Sequence, residues 1–178
     1  MAIDHRMRAS STILNPWWLL TQTQHVPRPI HEVFEFFSNA ENLEVLTPPF
    51  LGFEILSHQP INMQVGTRIA YKLRLMGVTM RWLTGIEQWS PPSSFVDVQL
   101  RGPYQHWRHL HHFEPAPGGG TIMTDRVELQ LPLGPLGLIA YYGFVQRSLN
   151  EIFTYRASVL DRLAQFPGFR EPTGRTMD

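Results

Sequence analysis

A change of period constrains this chain more than any other feature. Residues 50–57, 67–75, 78–89, 95–101, 105–114 and 121–131 are six segments rich in β-branched and aromatic side chains, the composition of strands. Between them lie turn signals: the polar run up to Gly66, Met76-Gly77, Ser90-Pro91-Pro92-Ser93, Gly102-Pro103 and Pro117-Gly118-Gly119-Gly120. Connections this short favour antiparallel hairpins. The pattern then becomes helical. Leu138, Tyr142, Val145, Leu149, Ile152, Phe153, Val159, Leu160 and Leu163 mark one face of a helix that starts near Leu136 and ends before Pro167-Gly168. At about 1.5 Å per residue such a helix is as long as the sheet is wide. Its apolar face needs a large partner, and a sheet curved around it leaves a gap wherever the curve exceeds the helix radius.

Ahead of these segments, residues 17–26 (WWLLTQTQHV) read as a first strand. Pro27 and Pro29 end it, and Ile30, Val33, Phe34 and Phe37 fall at the spacing of a short helix. Ser38 and Glu41 have capping-box spacing, which predicts a second short helix through Leu43 and Leu46, stopped by Pro48 and Pro49. The expected fold is α+β: a curved seven-stranded antiparallel sheet wrapped around a long C-terminal helix, with two short helices after the first strand. Residues 1–12 read as an unpacked leader, 13–166 as one domain and 167–178 as a polar tail.

Lys plus Arg and Asp plus Glu both number 15, so the formal net charge of zero gives no footprint for nucleic acid. With no cysteine, disulfides, thiolate metal sites and cysteine nucleophiles are excluded. No apolar run has the length of a membrane span or a signal-peptide core, and a cytoplasmic location is the expectation.

The order of elements resembles the helix-grip fold of the START and Bet v 1-like superfamily, and more closely the bacterial ligand-binding SRPBCC proteins related to polyketide cyclases. The resemblance covers about residues 17–163. It is carried by VFEFFSNAENLEVLTPP (33–49), IEQWSPPSSFVDVQLRGPYQHWRHLHHF (86–113), GGTIMTDRVELQLP (119–132) and IFTYR (152–156). It implies a cavity between sheet and helix for a lipid, polyketide, quinone or similar ligand. Some superfamily members are cyclases, dehydratases or hydrolases.

The sharpest chemical signal is residues 102–113, GPYQHWRHLHHF. In a strand, alternate side chains share a face, so Trp107, His109, His111 and Phe113 lie together, and His106, Arg108, Leu110 and His112 face the other way toward solvent. If residues 101–104 form a tight hairpin, Gln99 lies across from Trp107, Asp97 from His109 and Phe95 from His111. A short turn over 115–120 brings Asp125 to His111 or one pair away. A slip of one residue would turn every one of these side chains to the opposite face. The candidate ligand-binding set is Asp97, Gln99, His109, His111 and Asp125, framed by Trp82, Phe95, Trp107 and Tyr142. A carboxylate beside an imidazole fixes its tautomer and raises its pKa, as general acid–base work requires. The plainer reading is a satisfied structural network or the solvent face of the sheet.

His109-x-His111 with Asp97 or Asp125 also has the composition of a zinc or iron site. The spacing alone is weak and the resemblance implies no metal, so no metal or cofactor is assigned. Arg156 reads as a snorkelling surface residue rather than an inward-pointing one. Trp17 and Trp18 read as edge or interface packing, and an exposed pair would suit a homodimer. The glycine run at 118–120 lacks the strand-to-helix context of a phosphate loop, and no G-x-S-x-G element occurs. Three functions follow: binding of a small, largely hydrophobic ligand; a cyclase- or dehydratase-type enzyme with His109 or His111 as general acid or base, positioned by Asp97 and Asp125; and an interaction module with a vestigial pocket that assists a partner enzyme.

Overall fold

The computed structural model describes residues 4–9, 16–75, 77–132 and 135–164. Its sheet has eight antiparallel strands in the order β1-β2-β8-β7-β6-β5-β4-β3. These are β1 (Asp4–Ala9), β2 (Trp17–Val26), β3 (Glu54–Ile55), β4 (Arg68–Leu75), β5 (Val78–Ser90), β6 (Ser94–Arg101), β7 (His106–Pro115) and β8 (Thr121–Gln130). Every strand expected from the sequence is present, although the expected 50–57 strand shrinks to the two residues of β3. The leader is a correction: Asp4–Ala9 pairs with β2, from Asp4 opposite Thr23 to Ala9 opposite Trp18. Its charged residues hid a strand whose ladder needs only backbone groups and a neighbour. The polar tail at 167–178 lies outside the described residues.

Between β2 and β3 lie α1 (Ile30–Ser38) and α2 (Leu43–Leu46), the latter entered through a tight turn at Ala40–Asn42. The capping-box reading is also corrected. Asn39, not Ser38, caps this turn by accepting from the Glu41 amide at 3.0 Å, while the Ser38 hydroxyl turns back to the Glu35 carbonyl at 3.1 Å. Register shifts between β5 and β6 at Leu83/Thr84 and Ile86/Gln88 bend the sheet near its middle. A bent sheet encloses what lies on its concave side.

The C-terminal helix fills that side. It comprises α3 (Pro135–Ala140), a π turn at Tyr141–Val145 and α4 (Gln146–Ala164). The Gln146 amide donates to the Tyr141 carbonyl, five residues back. The wider turn inserts one residue and rotates the preceding face by about 100°. Tyr141 therefore points inward where a regular helix would have pointed Tyr142. Tyr141 is 2% exposed and stacks on Trp18 with ring centroids 4.1 Å apart, whereas Tyr142 is 62% exposed. A side chain at Gly137 would meet the Pro132 carbonyl at 3.0 Å and Leu131 Cβ at 3.1 Å, tighter than ordinary contact, so the neighbouring chain would have to give by a few tenths of an ångström. The side chains of Leu138 and Leu163, both placed on the expected stripe, lie outside the described residues.

Two buried glutamines tie α4 to the sheet. Gln22 donates to the Phe153 carbonyl at 3.4 Å, and Gln24 donates to the Ala157 carbonyl at 3.2 Å and to Asp161 Oδ1 at 3.3 Å. Their amides face the helix because β2 alternates, with Trp18, Leu20, Gln22, Gln24 and Val26 all buried. One apolar cluster joins α1 to Phe95, Phe113, Val159 and Leu160; the other joins Trp18, Leu129, Tyr141, Leu149 and Phe153. Phe37 and Phe95 of the first and Leu149 and Phe153 of the second line the cavity between sheet and helix.

Candidate functional site

The cavity has a volume of about 160 Å³, room for several waters or one small organic molecule. Most of its wall is apolar: Leu43, Leu46, Ile69, Leu73, Trp82 and Ile152 are typical. The polar part is compact. Asp97 comes from β6, His109 and His111 from β7, Tyr71 and Thr84 from β4 and β5, and Arg156 from α4.

The sheet register expected for this cluster is the observed one, with Asp97 opposite His109, Phe95 opposite His111 and His111 opposite Asp125. His109 and His111 are buried, 5% and 6% exposed. Their rings lie 3.8 Å apart, and Phe95 stacks on His111 at 4.2 Å. Each imidazole spans the two carboxylates. His109 Nε2 donates to Asp125 Oδ1 at 3.0 Å, and its Nδ1 lies 3.6 Å from Asp97 Oδ2. His111 Nε2 donates to Asp97 Oδ2 at 3.2 Å. His111 Nδ1 is 2.8 Å from Asp125 Oδ1 but is not aligned as a hydrogen bond.

Environment separates the two imidazoles. Burial and the charge of His111 hold His109 below the usual histidine range, against the pull of its bond to Asp125. Burial also lowers His111, but Asp125 and Asp97 outweigh it and raise the group. For Asp97, the His111 bond, both imidazoles and Arg156 overcome the upward push of burial and keep it ionised. Asp125 is likewise pushed up by burial, yet the bond from His109 and the close approach of the His111 imidazole hold it far below the carboxylate range. Two ionised carboxylates and the Arg156 guanidinium therefore surround a more basic imidazole, His111, and a less basic one, His109, and the cluster sums to zero charge when His111 alone carries the extra proton. A buried group of this size is tolerable only near neutrality.

Three expected site residues take different positions. Gln99 is not in the cavity wall: its amide donates to the Tyr104 carbonyl at 2.7 Å and accepts from the Tyr104 amide at 3.2 Å, closing the β6–β7 turn. Tyr142 faces outward because of the π turn. Asp125 sits behind the two histidines rather than on the cavity surface. Trp82, Phe95, Asp97, Trp107, His109 and His111 all line the cavity. The Trp17–Trp18 pair is not an exposed patch, since Trp18 is 2% exposed.

The sequence reading leaves Arg156 and Tyr71 out of the candidate site, weighing an inward Arg156 only as the less favoured orientation. Arg156 is not a snorkelling residue: its side chain is 12% exposed, with Nη1 3.9 Å from Asp125 Oδ1 and its guanidinium carbon 5.3 Å from the Phe153 ring centroid. Its Nε and Nη1 are buried without a hydrogen-bond partner among the described residues. The available signal was a cation at helical spacing with Phe153 and Val159. Tyr71 stacks on Trp82 and shares a hydrogen bond with the Thr84 hydroxyl at 3.1 Å. Burial pushes its phenol well above the usual range, so it stays protonated. The signal there was the alternation Ile69, Tyr71, Leu73 on β4.

No helix among the described residues is long and apolar enough to cross a membrane. No functionally curated protein matches the sequence. Among solved structures the chain is similar to protein Ms6760 from Mycobacterium smegmatis, at 17% identity and a TM-score of 0.62, over 91% of this chain and 97% of that one. It is similar to the protein TTHA0849 from Thermus thermophilus at 18% identity and a TM-score of 0.65, over 82% and 96% of the two chains. The Zhui aromatase/cyclase from Streptomyces sp. R1128 matches at 14% identity and a TM-score of 0.65, over 84% and 94%. At these identities the likeness establishes the helix-grip fold. The family model described as polyketide cyclase / dehydrase and lipid transport matches residues 26–155, and the chain belongs to that family.

Proposed function

We propose that this protein binds a small, largely apolar molecule in the cavity, with the molecule's polar end against Arg156, Asp97, His109 and His111. The observation that carries this reading is the wall itself: an extensive aromatic and aliphatic lining with one compact polar cluster and an arginine whose buried Nε and Nη1 lack acceptors among the described residues. Such a surface orients a ligand by a few polar contacts and retains it by area. Native and denaturing mass spectrometry of freshly purified protein tests it. The expected result is a reproducible added mass that disappears on denaturation and is reduced in Trp82→Ala. A ligand-free protein that also binds nothing from a panel of lipids, quinones and aromatic polyketides overturns it.

A second reading, acid–base chemistry of the cyclase or dehydratase type, is supported by one specific observation. Neighbouring imidazoles with opposite pKa shifts supply a proton acceptor, His109, and a proton donor, His111. Under this reading His109→Ala abolishes turnover while the ligand is still held; under simple binding the same change lowers affinity alone.

A further inference from the structure

We propose that Asp97, His109 and His111 are the protein ligands of a mononuclear site for a divalent first-row transition metal, with Zn²⁺ and Fe²⁺ as the ions whose preferences they fit. The inference concerns the same cavity but does not require an organic ligand in it. Two imidazole nitrogens and a carboxylate oxygen are a donor set that both ions accept. Here the three converge, since one donor atom from each residue can be chosen with all three within 4.8 Å of one another.

The orientation of the rings makes this more than a cluster. One oxygen, Asp125 Oδ1, faces a nitrogen of each imidazole, His109 Nε2 at 3.0 Å and His111 Nδ1 at 2.8 Å. The opposite nitrogens, His109 Nδ1 and His111 Nε2, then both turn toward Asp97 Oδ2, at 3.6 and 3.2 Å. Bonds of about 2.0–2.2 Å at tetrahedral or octahedral angles place neighbouring donors roughly 3.0–3.5 Å apart; the two separations to Asp97 are close to that spacing, and the imidazole donors need at most to draw together from within 4.8 Å. Metal-bound histidines characteristically have their far nitrogen held by a carboxylate. Asp125 lies behind the histidines in that position, while the three donors line the cavity. A metal would replace the proton that His111 now shares with Asp97. Three protein ligands leave positions open on the cavity side, where a carbonyl or hydroxyl of a bound molecule, or water, completes the shell.

The experiment uses full-length protein dialysed against chelator, then titrated with Co²⁺ and separately with Cu²⁺. The expected result is one tight equivalent of Co²⁺ with intense ligand-field bands of a four- or five-coordinate ion. Cu²⁺ is expected to show nitrogen hyperfine coupling from two imidazoles, a readout on unaltered protein that needs no variant to fold. Asp97→Asn and His109→Gln should lose the bands, and Asp125→Asn should bind about 10–100-fold more weakly. A hexa-aquo-like Co²⁺ spectrum, coupling from fewer than two nitrogens, or bands that survive in His109→Gln would overturn the assignment. Survival of that kind would place the metal on surface histidines and leave the cavity cluster a hydrogen-bonded network alone.

Discussion

Replacing Asp125 with asparagine tests the charge arrangement from which the site is built. Asparagine keeps the shape and can still accept from His109 Nε2, but it removes the charge that faces His111 at 2.8 Å and Arg156 at 3.9 Å. Removing one partner of a buried ion pair costs about 3–5 kcal/mol. The low end applies here, because His111 can discharge its proton and the retained neutral bond still contributes about 1 kcal/mol. The expected loss is therefore about 3 kcal/mol at pH 7, or about 6–12 °C in Tm for a domain of this size. Urea unfolding of both proteins reads it. The pH dependence carries a second signature. Because Asp125 is held far below its unfolded value, its contribution is fully present above that value. It is lost only as pH falls from about 3.9 through the folded pKa. The gap between the two proteins should accordingly not shrink between pH 7 and about pH 5, growing if anything as His111 is protonated in the unfolded chain, and should begin to narrow only below about pH 4. A loss under about 1 kcal/mol at pH 7, or a gap that closes near pH 6, would refute the account of a carboxylate neutralising a buried imidazolium and guanidinium.

In metal-free protein, the ¹⁵N shifts of the two imidazoles should titrate on opposite sides of about 6.5, His111 above and His109 below. His111 then stabilises below about pH 6.5 and loses that effect as pH rises through its folded value, while His109 stabilises at high pH and loses its effect below about 6.5; a shared midpoint would refute the asymmetry. Tyr141→Ala should cost about 3–5 kcal/mol and Tyr142→Ala less than about 0.5 kcal/mol in thermal or urea unfolding, since only the first is buried; the reverse order would remove the π turn from the description. Arg156→Met should weaken retention of the cavity ligand about 10–100-fold, the value of a hydrogen bond from a charged donor, measured by titration of the released molecule into ligand-free protein. Unchanged affinity would show that the orphaned nitrogens face water and not ligand.

Much of the fold was legible because its signals are local. Period two with glycine and proline turns specified β4 to β8, and the hairpin lengths fixed the register that sets Asp97 opposite His109. A register read this way carries chemistry, since it decides which side chains are enclosed. What was illegible depends on non-local pairing or on one inserted residue. The Asp4–Ala9 strand has no apolar alternation and exists by lending its backbone to the edge of β2. The π turn leaves no trace in apolar spacing, because Tyr141 and Tyr142 are adjacent and chemically alike; a shift of one residue exchanges them without altering the pattern.

The site shows the same division. Alternation along β7 was enough to place His109 and His111 on one face, but not to say that the face was buried. That depended on the bend between β5 and β6 and on α4 lying across the concave side. Arg156 fails the sequence reading for a related reason. A cation on an apolar helical stripe is ordinarily resolved by snorkelling, which needs water within reach of the side chain. Here the stripe faces a cavity lined by Phe153 and Trp82, and the charge is held instead by Asp125, which is itself invisible as a partner until β8 is seen beside β7. The cost of burying that guanidinium is offset only because three strands, β6, β7 and β8, deliver four further ionisable groups to the point where α4 places it. A chain stabilised by its core alone would often lose nothing on replacing all five with apolar residues, so their presence together beside the cavity supports the proposed role in orienting a ligand.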